Sequence, residues 1–344
     1  MTPPTIALRL LLAALVLCHA LPARAVDETP AKPVPARNPN GVFTVITEND
    51  LYAINNRDRH YTNGLRLGWM SADEDVPGWA NSLDDVLPLL ADNAHRRIGW
   101  TVGQSMFTPE DKATRTPILN DRPYAAWLYG GLKLQTETPD RLDTLELDLG
   151  VVGPAALGEQ AQNHWHAVIG VNQANGWNNQ IKNEPGLVLK AERLWRATLI
   201  EDAPDVVGVD VVPHAVGALG NVFTYAGAGA TLRIGQGLHA DFGPPRIDPA
   251  VPGSDFFYAP EIFGWYMFAG FDGRAVGRNI FLDGNSFANS QSVSKRPLVG
   301  DLQGGLELLF AHARLTYTQA VRTKEFYGQH HPDYLGSIVL SVTF

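Results

Sequence analysis

The sequence predicts an all-β protein, a transmembrane antiparallel β-barrel of about twelve strands with short helices in its loops. Residues 1–25 read as an export signal. Beyond them, no stretch offers the roughly 18 consecutive apolar residues of a membrane-spanning helix. Segment after segment instead alternates apolar with small or polar residues, and the last of these closes on a terminal Phe344, the usual ending of a bacterial outer-membrane barrel.

The signal has Arg9 as its basic residue, Leu10 to Leu17 as its apolar run and Ala23-Arg24-Ala25 as an A-x-A cleavage site, so the mature chain is expected to start at Val26. A lipoprotein would be anchored at Cys18, but Leu17 stands before it where a small residue is required. Cys18 is the only cysteine and leaves with the signal, so the mature protein has no disulfide and relies on its core or a membrane for stability. Residues 26–40 contain Pro30, Pro33, Pro35 and Pro39 and read as a disordered leader. The barrel is expected to occupy residues 41–344. The formal charge is −9, and more negative once Arg9 and Arg24 are gone, which argues against nucleic acid as a partner.

From Gly41 a strand sets Phe43, Val45 and Thr47 against Thr44, Ile46 and Glu48. In the second, Tyr61, Asn63, Leu65, Leu67 and Trp69 share one face, while Thr62, Gly64, Arg66 and Gly68 share the other. An apolar outside over a small and polar inside is the pattern of a lipid-facing strand. Residues 80–90 suggest a short helix capped by Asn81 or Ser82. Strands follow at 97–107, 124–137 and 141–152; in the last, Leu145, Leu147, Leu149 and Val151 oppose Thr144, Glu146, Asp148 and Gly150. Two acids on one face are costly in a dry core and cheap in a wet lumen.

Residues 153–184 break the alternation with amide-rich sequence and a helix expected over 158–169. Strands resume at 186–200, 205–219 and 222–235. Residues 238–258 hold Pro244, Pro245, Pro249 and Pro252 and must be a loop. After a strand at 265–274 and a polar connection over 279–296, residues 298–323 fit a hairpin turning near Ala311-His312-Ala313. The chain ends in a strand with Tyr334, Ile338, Leu340 and Val342 on one face, the segment that barrel assembly machinery reads.

Reactive groups concentrate in Glu48-Asn49-Asp50-Leu51-Tyr52 and residues 58–69, in Asp111-Lys112, in Asn120-Asp121-Arg122, in Gln162-Asn163-His164-Trp165-His166, and in Gly176-Trp177-Asn178-Asn179-Gln180. Each has a plain structural reading as a turn, a lumenal ion pair or an interfacial aromatic. No Gly-x-Ser-x-Gly elbow supports a serine esterase, and no His-Glu-x-x-His supports a zinc site. What remains is a histidine acting as general base on water, with a hard cation held by carboxylate and amide oxygens to polarise an ester carbonyl. Gln162 and His166 are one helical turn apart and share a face. Strict alternation puts Asn49 and Asp50 on opposite faces unless the strand ends or bulges there.

Asn49-Asp50, Tyr61-Thr62-x-Gly64, Asp121-Arg122, Gly150-Val151-Val152-Gly153-Pro154, Gln162-Asn163-x-x-His166-x-x-Ile169-Gly170 and the final Phe together resemble the outer-membrane lipid A 3'-O-deacylase family, over about residues 44–344. The resemblance implies a twelve-stranded barrel in the bacterial outer membrane and a calcium-dependent esterase that removes the 3'-linked acyl or acyloxyacyl chain of lipid A. His166 matches the family's catalytic base. Asn49, Asp50 and Thr62 match its polar cluster, and Gln162 and Lys112 match further pocket residues; Asp50 is the expected Ca²⁺ ligand. Lys112, Arg66 and Arg115 are candidates to meet the glucosamine phosphate, because guanidinium and ammonium groups suit it. The sequence departs from the resemblance at Ala113, where a family member has a basic residue and Arg115 two residues on is the candidate substitute, and at Asn172, where an acid stands six residues after the histidine. Two other readings stay open at this point: a phospholipase-type acyl hydrolase of the outer membrane, and a non-catalytic barrel or pore.

Overall fold

The computed structural model describes residues 38–53, 60–78, 94–170, 172–203, 205–247, 249–260 and 263–344. The expected signal peptide, most of the leader and the helix expected at 80–90 lie outside the described residues.

The alternating segments become strands: β1 (Val42–Asn49), β2 (His60–Met70), β3 (His95–Thr108), β4 (Ala125–Thr138), β5 (Arg141–Val152), β6 (Glu184–Trp195), β7 (Ala197–Ile200), β8 (Gly208–Gly220), β9 (Phe223–Gln236), β10 (Phe263–Asn279), β11 (Leu298–Phe310), β12 (Ala313–Arg322) and β13 (Asp333–Thr343). They form one antiparallel sheet in which β1 pairs with β13 and β6 with β8, so the sheet closes. β6 and β7 are one strand interrupted at Arg196, and both pair with β8, which makes a closed barrel of twelve strands. Closure removes the exposed edges that an open sheet would present. Leu65, Val102, Leu132, Leu147, Leu149, Met267 and Phe271 stand exposed on its outer face, the apolar surface that a membrane covers.

The interior is packed. The connection from β9 to β10 folds into the lumen, and its groups meet wall residues around the ring. Asp255 pairs with both Arg66 and Lys133. Arg246 reaches Glu48 at 2.9 Å, and Asp241 takes Arg233 at 2.8 Å and Arg314 at 3.1 Å. Arg97 lies 3.6 Å from the centre of the Phe256 ring while binding Asp73 at 2.6 Å and Glu137 at 2.5 Å. Charges withdrawn from water need such partners. The prolines of 238–258 were expected to enforce a loop, and they do; its course through the barrel fills the space that a pore would keep open. Glu146 is likewise buried among cations rather than bathed in water, with Lys190 at 2.7 Å and Lys133 at 3.4 Å.

One face assignment differs from the expected alternation. A bulge between Tyr61 and Asn63 sets Tyr61 opposite Phe107 and Asn63 opposite Met106, with Thr62 as the extra residue. Tyr61 therefore turns into the barrel, packing on Phe107 with ring centres 5.4 Å apart, instead of joining Leu65 and Leu67 on the outer face.

Candidate active site

The short turn Pro154–Ala156 and the helix α1 (Gly158–Ile169) lie against the outside of the wall at the barrel end opposite the termini. They cover outward-facing Met106 of β3 and Ala126 of β4, in a cluster with Tyr124, Ala156, Ala174 and Trp177. Gln104, also outward, donates to the Ala156 carbonyl at 2.6 Å. Gly158 is what lets the helix come so close: a Cβ there would stand 2.4 Å from the Ala126 Cβ and 2.6 Å from the Trp177 ring. At its other end Gly170, at φ +73°, closes α1 by donating its N–H to the His166 carbonyl. Leu157, Trp165 and Val168 of this segment stay exposed, extending the apolar outer surface of the barrel onto the helix.

The buried face of α1 is zipped to the chain that returns after it. Asn163 exchanges two hydrogen bonds with the backbone of Ala174, accepting at 2.9 Å and donating at 3.4 Å. Trp177 donates its indole N–H to Gln162 Oε1 at 2.7 Å. His166 places Nδ1 2.7 Å from the Asn172 carbonyl oxygen. A carbonyl only accepts, so Nδ1 carries the proton and Nε2 is the basic nitrogen. Asn172, the departure from the family's acid, thus holds the histidine through its backbone.

Lys112 belongs to the loop between β3 and β4. Its carbonyl is held by the Asn175 N–H at 2.9 Å and the Tyr124 hydroxyl at 3.2 Å, so the same returning segment fixes both Lys112 and His166. Burial lowers the Lys112 ammonium to about 8, opposed by the Asp50 carboxylate. Burial also lowers the His166 imidazole, offset by its bond to Asn172 and reinforced by the charge of Lys112. Lys112 is therefore within electrostatic reach of both Asp50 and His166.

β1 ends at Asn49, and Asp50 begins a short 3-10 turn, which removes the conflict that strict alternation posed. The Asn49 carboxamide caps that turn by accepting from the Leu51 N–H at 2.7 Å. The Tyr52 carbonyl accepts from Tyr317 at 2.9 Å and Gln319 at 2.8 Å, outward-facing residues of β12, so the turn is folded over the outer wall. Asp50 is buried. Thr62, at the bulge, shares a 2.6 Å hydroxyl hydrogen bond with Thr108.

Arg66 is not with this group. It points into the lumen, buried, and pairs with Asp255, so the sequence expectation that it meets a substrate phosphate is corrected: alternation along β2 sends it inward, and an acid 189 residues away in sequence receives it. Arg115 is exposed on the Lys112 loop, where its carbonyl accepts from Asn179 at 2.7 Å. Sequence reasoning did not single out Trp177, Asn172 or Thr108 as partners of the expected residues, although Trp177 stood in a segment already marked by its amides. It also left His60 without a role. His60, at φ +62°, sits with Nδ1 2.6 Å from Asp333 and Nε2 3.6 Å from Asp121, and Asp121 in turn accepts the Glu110 N–H at 2.8 Å, two residues before Lys112.

Among the described residues no group of three or more His, Cys, Asp or Glu is arranged to hold a metal. Among the described residues, a cation at Asp50 would take its carboxylate and otherwise rely on hydroxyl, amide and carbonyl oxygens and water. An all-oxygen set fits a hard ion such as Ca²⁺ and not a soft one.

A closed barrel of twelve strands with an apolar outer belt defines an outer-membrane protein. The chain belongs to the family described as Outer membrane protein LpxR, which matches residues 10–344, and so to the lipid A 3'-O-deacylases that its motifs resemble. Among solved structures it is similar to LpxR from Salmonella typhimurium, with 22% identity, 88% of this chain and 100% of that chain covered, and a TM-score of 0.73. Lesser likenesses include the beta domain of the Bordetella autotransporter BrkA, at 8% identity, 90% and 100% coverage and TM-score 0.43. The COG4313 outer membrane channel from Pseudomonas putida F1 follows at 10% identity, 93% and 100% coverage and TM-score 0.43. No curated protein sequence matches.

Proposed function

We propose that this lipid A deacylase hydrolyses the 3'-linked acyl ester, releasing the acyl or acyloxyacyl chain, with His166 as general base on water. The observation that carries this reading is the 2.7 Å contact between His166 Nδ1 and the Asn172 carbonyl. It fixes the tautomer and leaves Nε2 to take a proton, and the lowered basicity of the ring keeps it neutral near pH 7. A water molecule gives its proton to Nε2 while its oxygen attacks the ester carbonyl carbon. The tetrahedral oxyanion collapses, the C–O bond to the sugar breaks, and the imidazolium returns the proton to the departing 3'-oxygen. The products are a fatty acid and a free hydroxyl.

Asp50 would hold a Ca²⁺ ion, which supplies positive charge where the ester oxygen becomes negative. Lys112, charged below about pH 8, would meet a phosphate of lipid A, with exposed Arg115 on the same loop. The connections 109–124, 153–183 and 280–297 leave the barrel at the site end, and long loops in such barrels face the cell exterior. Trp165 and Val168 then bring the helix to the level of the outer-leaflet lipids.

A competition test decides the substrate. Purified protein is given vesicles holding both lipid A and phospholipid, and the products are weighed by mass spectrometry. Loss of the 3'-linked acyl mass from lipid A is expected; acyl loss from the phospholipid alone would overturn the reading in favour of a phospholipase.

A further inference from the structure

Gln162 carries an unspent donor. The residue is 2% exposed, and while its oxygen accepts from Trp177, its Nε2 has no hydrogen-bond partner among the described residues. The orientation of the carboxamide is not arbitrary. An indole N–H can only donate, so the atom facing Trp177 must be the oxygen, and the NH₂ group must face the other way. Leaving a buried amide N–H unmatched costs about 1–3 kcal/mol, a cost a protein does not carry at random. Gln162 stands one helical turn before His166, and both side chains are on the buried face of α1.

Trp177 is itself held rigidly. It is 1% exposed, lies 5.0 Å from the Tyr124 ring, and packs where only glycine is tolerated at 158. Rotating the Gln162 carboxamide by half a turn would set NH₂ against the indole N–H, two donors face to face. The indole therefore locks one of the two amide orientations.

Resting on the hydrolytic reading above, we propose that Gln162 Nε2 donates a hydrogen bond to the oxyanion formed at the ester carbonyl, and that Trp177 is the positioning residue that aims it. A neutral ester oxygen accepts such a bond weakly and an alkoxide accepts it strongly, so the stabilisation appears in the transition state. Gln162 thereby adds a fixed donor to whatever charge a cation at Asp50 supplies.

The test compares wild type, Gln162→Met, Trp177→Phe and the double variant on lipid A in vesicles, with heat-dependent gel mobility reporting a folded barrel. Methionine keeps the volume and removes the donor; phenylalanine keeps a ring against Tyr124 and removes the indole N–H. Gln162→Met is expected to lower kcat about 10²–10³-fold, the range for loss of one oxyanion donor, with KM within about threefold. Trp177→Phe is expected to lower kcat about tenfold, because the amide now samples both orientations. In the Gln162→Met background, Trp177→Phe adds no further loss, since nothing remains to aim. Binding of a phosphonate analogue of the tetrahedral intermediate falls in parallel with kcat, while the acid limb of the pH profile stays where it is. Retained kcat in folded Gln162→Met, a loss confined to KM, or additive effects of the two substitutions would each overturn the proposal. If wild type hydrolyses lipid A and His166→Ala does not, the hydrolytic reading survives any of these outcomes.

Discussion

Replacing Gly158 with alanine adds one methyl group at the place where α1 touches the barrel. Its Cβ would lie 2.4 Å from the Cβ of Ala126, a fully buried residue of β4 paired on both sides in the wall, and 2.6 Å from the Trp177 ring. Ordinary carbon contacts are about 3.5–4.0 Å, so the start of the helix must lift by roughly 1 Å. The strands pair with one another around the whole ring and none depends on α1 for a ladder partner, so the barrel itself stays closed. The chemistry does not escape, because Gln162 and His166 ride on the displaced helix while Lys112 and Asp50 do not. A misplacement of 1 Å costs on the order of 10²-fold in rate, equivalent to about 2.7 kcal/mol. Deacylation rates in vesicles and gel mobility before and after heating measure the two halves. A folded Gly158→Ala barrel with wild-type kcat/KM would refute the reasoning that the site is assembled between α1 and the outer wall.

Activity should fall as pH drops through a point below 6.5, where His166 takes up a proton, and KM should rise above about pH 8, where Lys112 loses its charge; initial rates from pH 4 to 10 show both limbs, and an acid limb above 6.5 would exclude His166 as the base. Chelating divalent cations is expected to abolish turnover, with added Ca²⁺ restoring it, and Asp50→Asn should require more Ca²⁺ for half-maximal rate. Arg66→Met leaves Asp255 with one fewer cation in the lumen and should cost about 3–5 kcal/mol of stability, read as a lower unfolding temperature, while kcat of the folded protein is unchanged.

Period-two alternation made the wall legible. In residues 141–152 and 334–344 the alternating sets Leu145, Leu147, Leu149 and Val151, and Tyr334, Ile338, Leu340 and Val342, land on the outer face because a one-residue slip would turn each whole set to the wrong side, while Leu142, Val152, Leu335 and Val339 fill the interior clusters. The helix at 158–169 was equally readable, since the amide-rich break and Gly170 bound it. What the pattern did not contain was any residue-to-residue information across the chain. Arg66 looked like a phosphate ligand until Asp255 appeared opposite it, and Glu146 looked solvated until Lys133 and Lys190 closed on it. Tyr61 escaped because a single extra residue, Thr62, reverses the face of everything before it. Prolines marked residues 238–258 as a loop, but the decision to fill the lumen rests on pairings with Glu48, Lys133 and Arg314 that lie far away in sequence. For the site, residue types at 49–50, 162 and 166 were visible, whereas their backbone and indole supports at Asn172 and Trp177 emerge only when the returning segment folds onto α1.

The most direct measurement is the mass of lipid A from outer membranes carrying either the wild-type protein or His166→Ala, each checked to be a folded barrel by gel mobility. Wild type should remove the mass of the 3'-linked acyl chain, and His166→Ala should leave lipid A intact. Loss of that acyl mass in membranes carrying folded His166→Ala would contradict hydrolysis by this histidine on the outer wall.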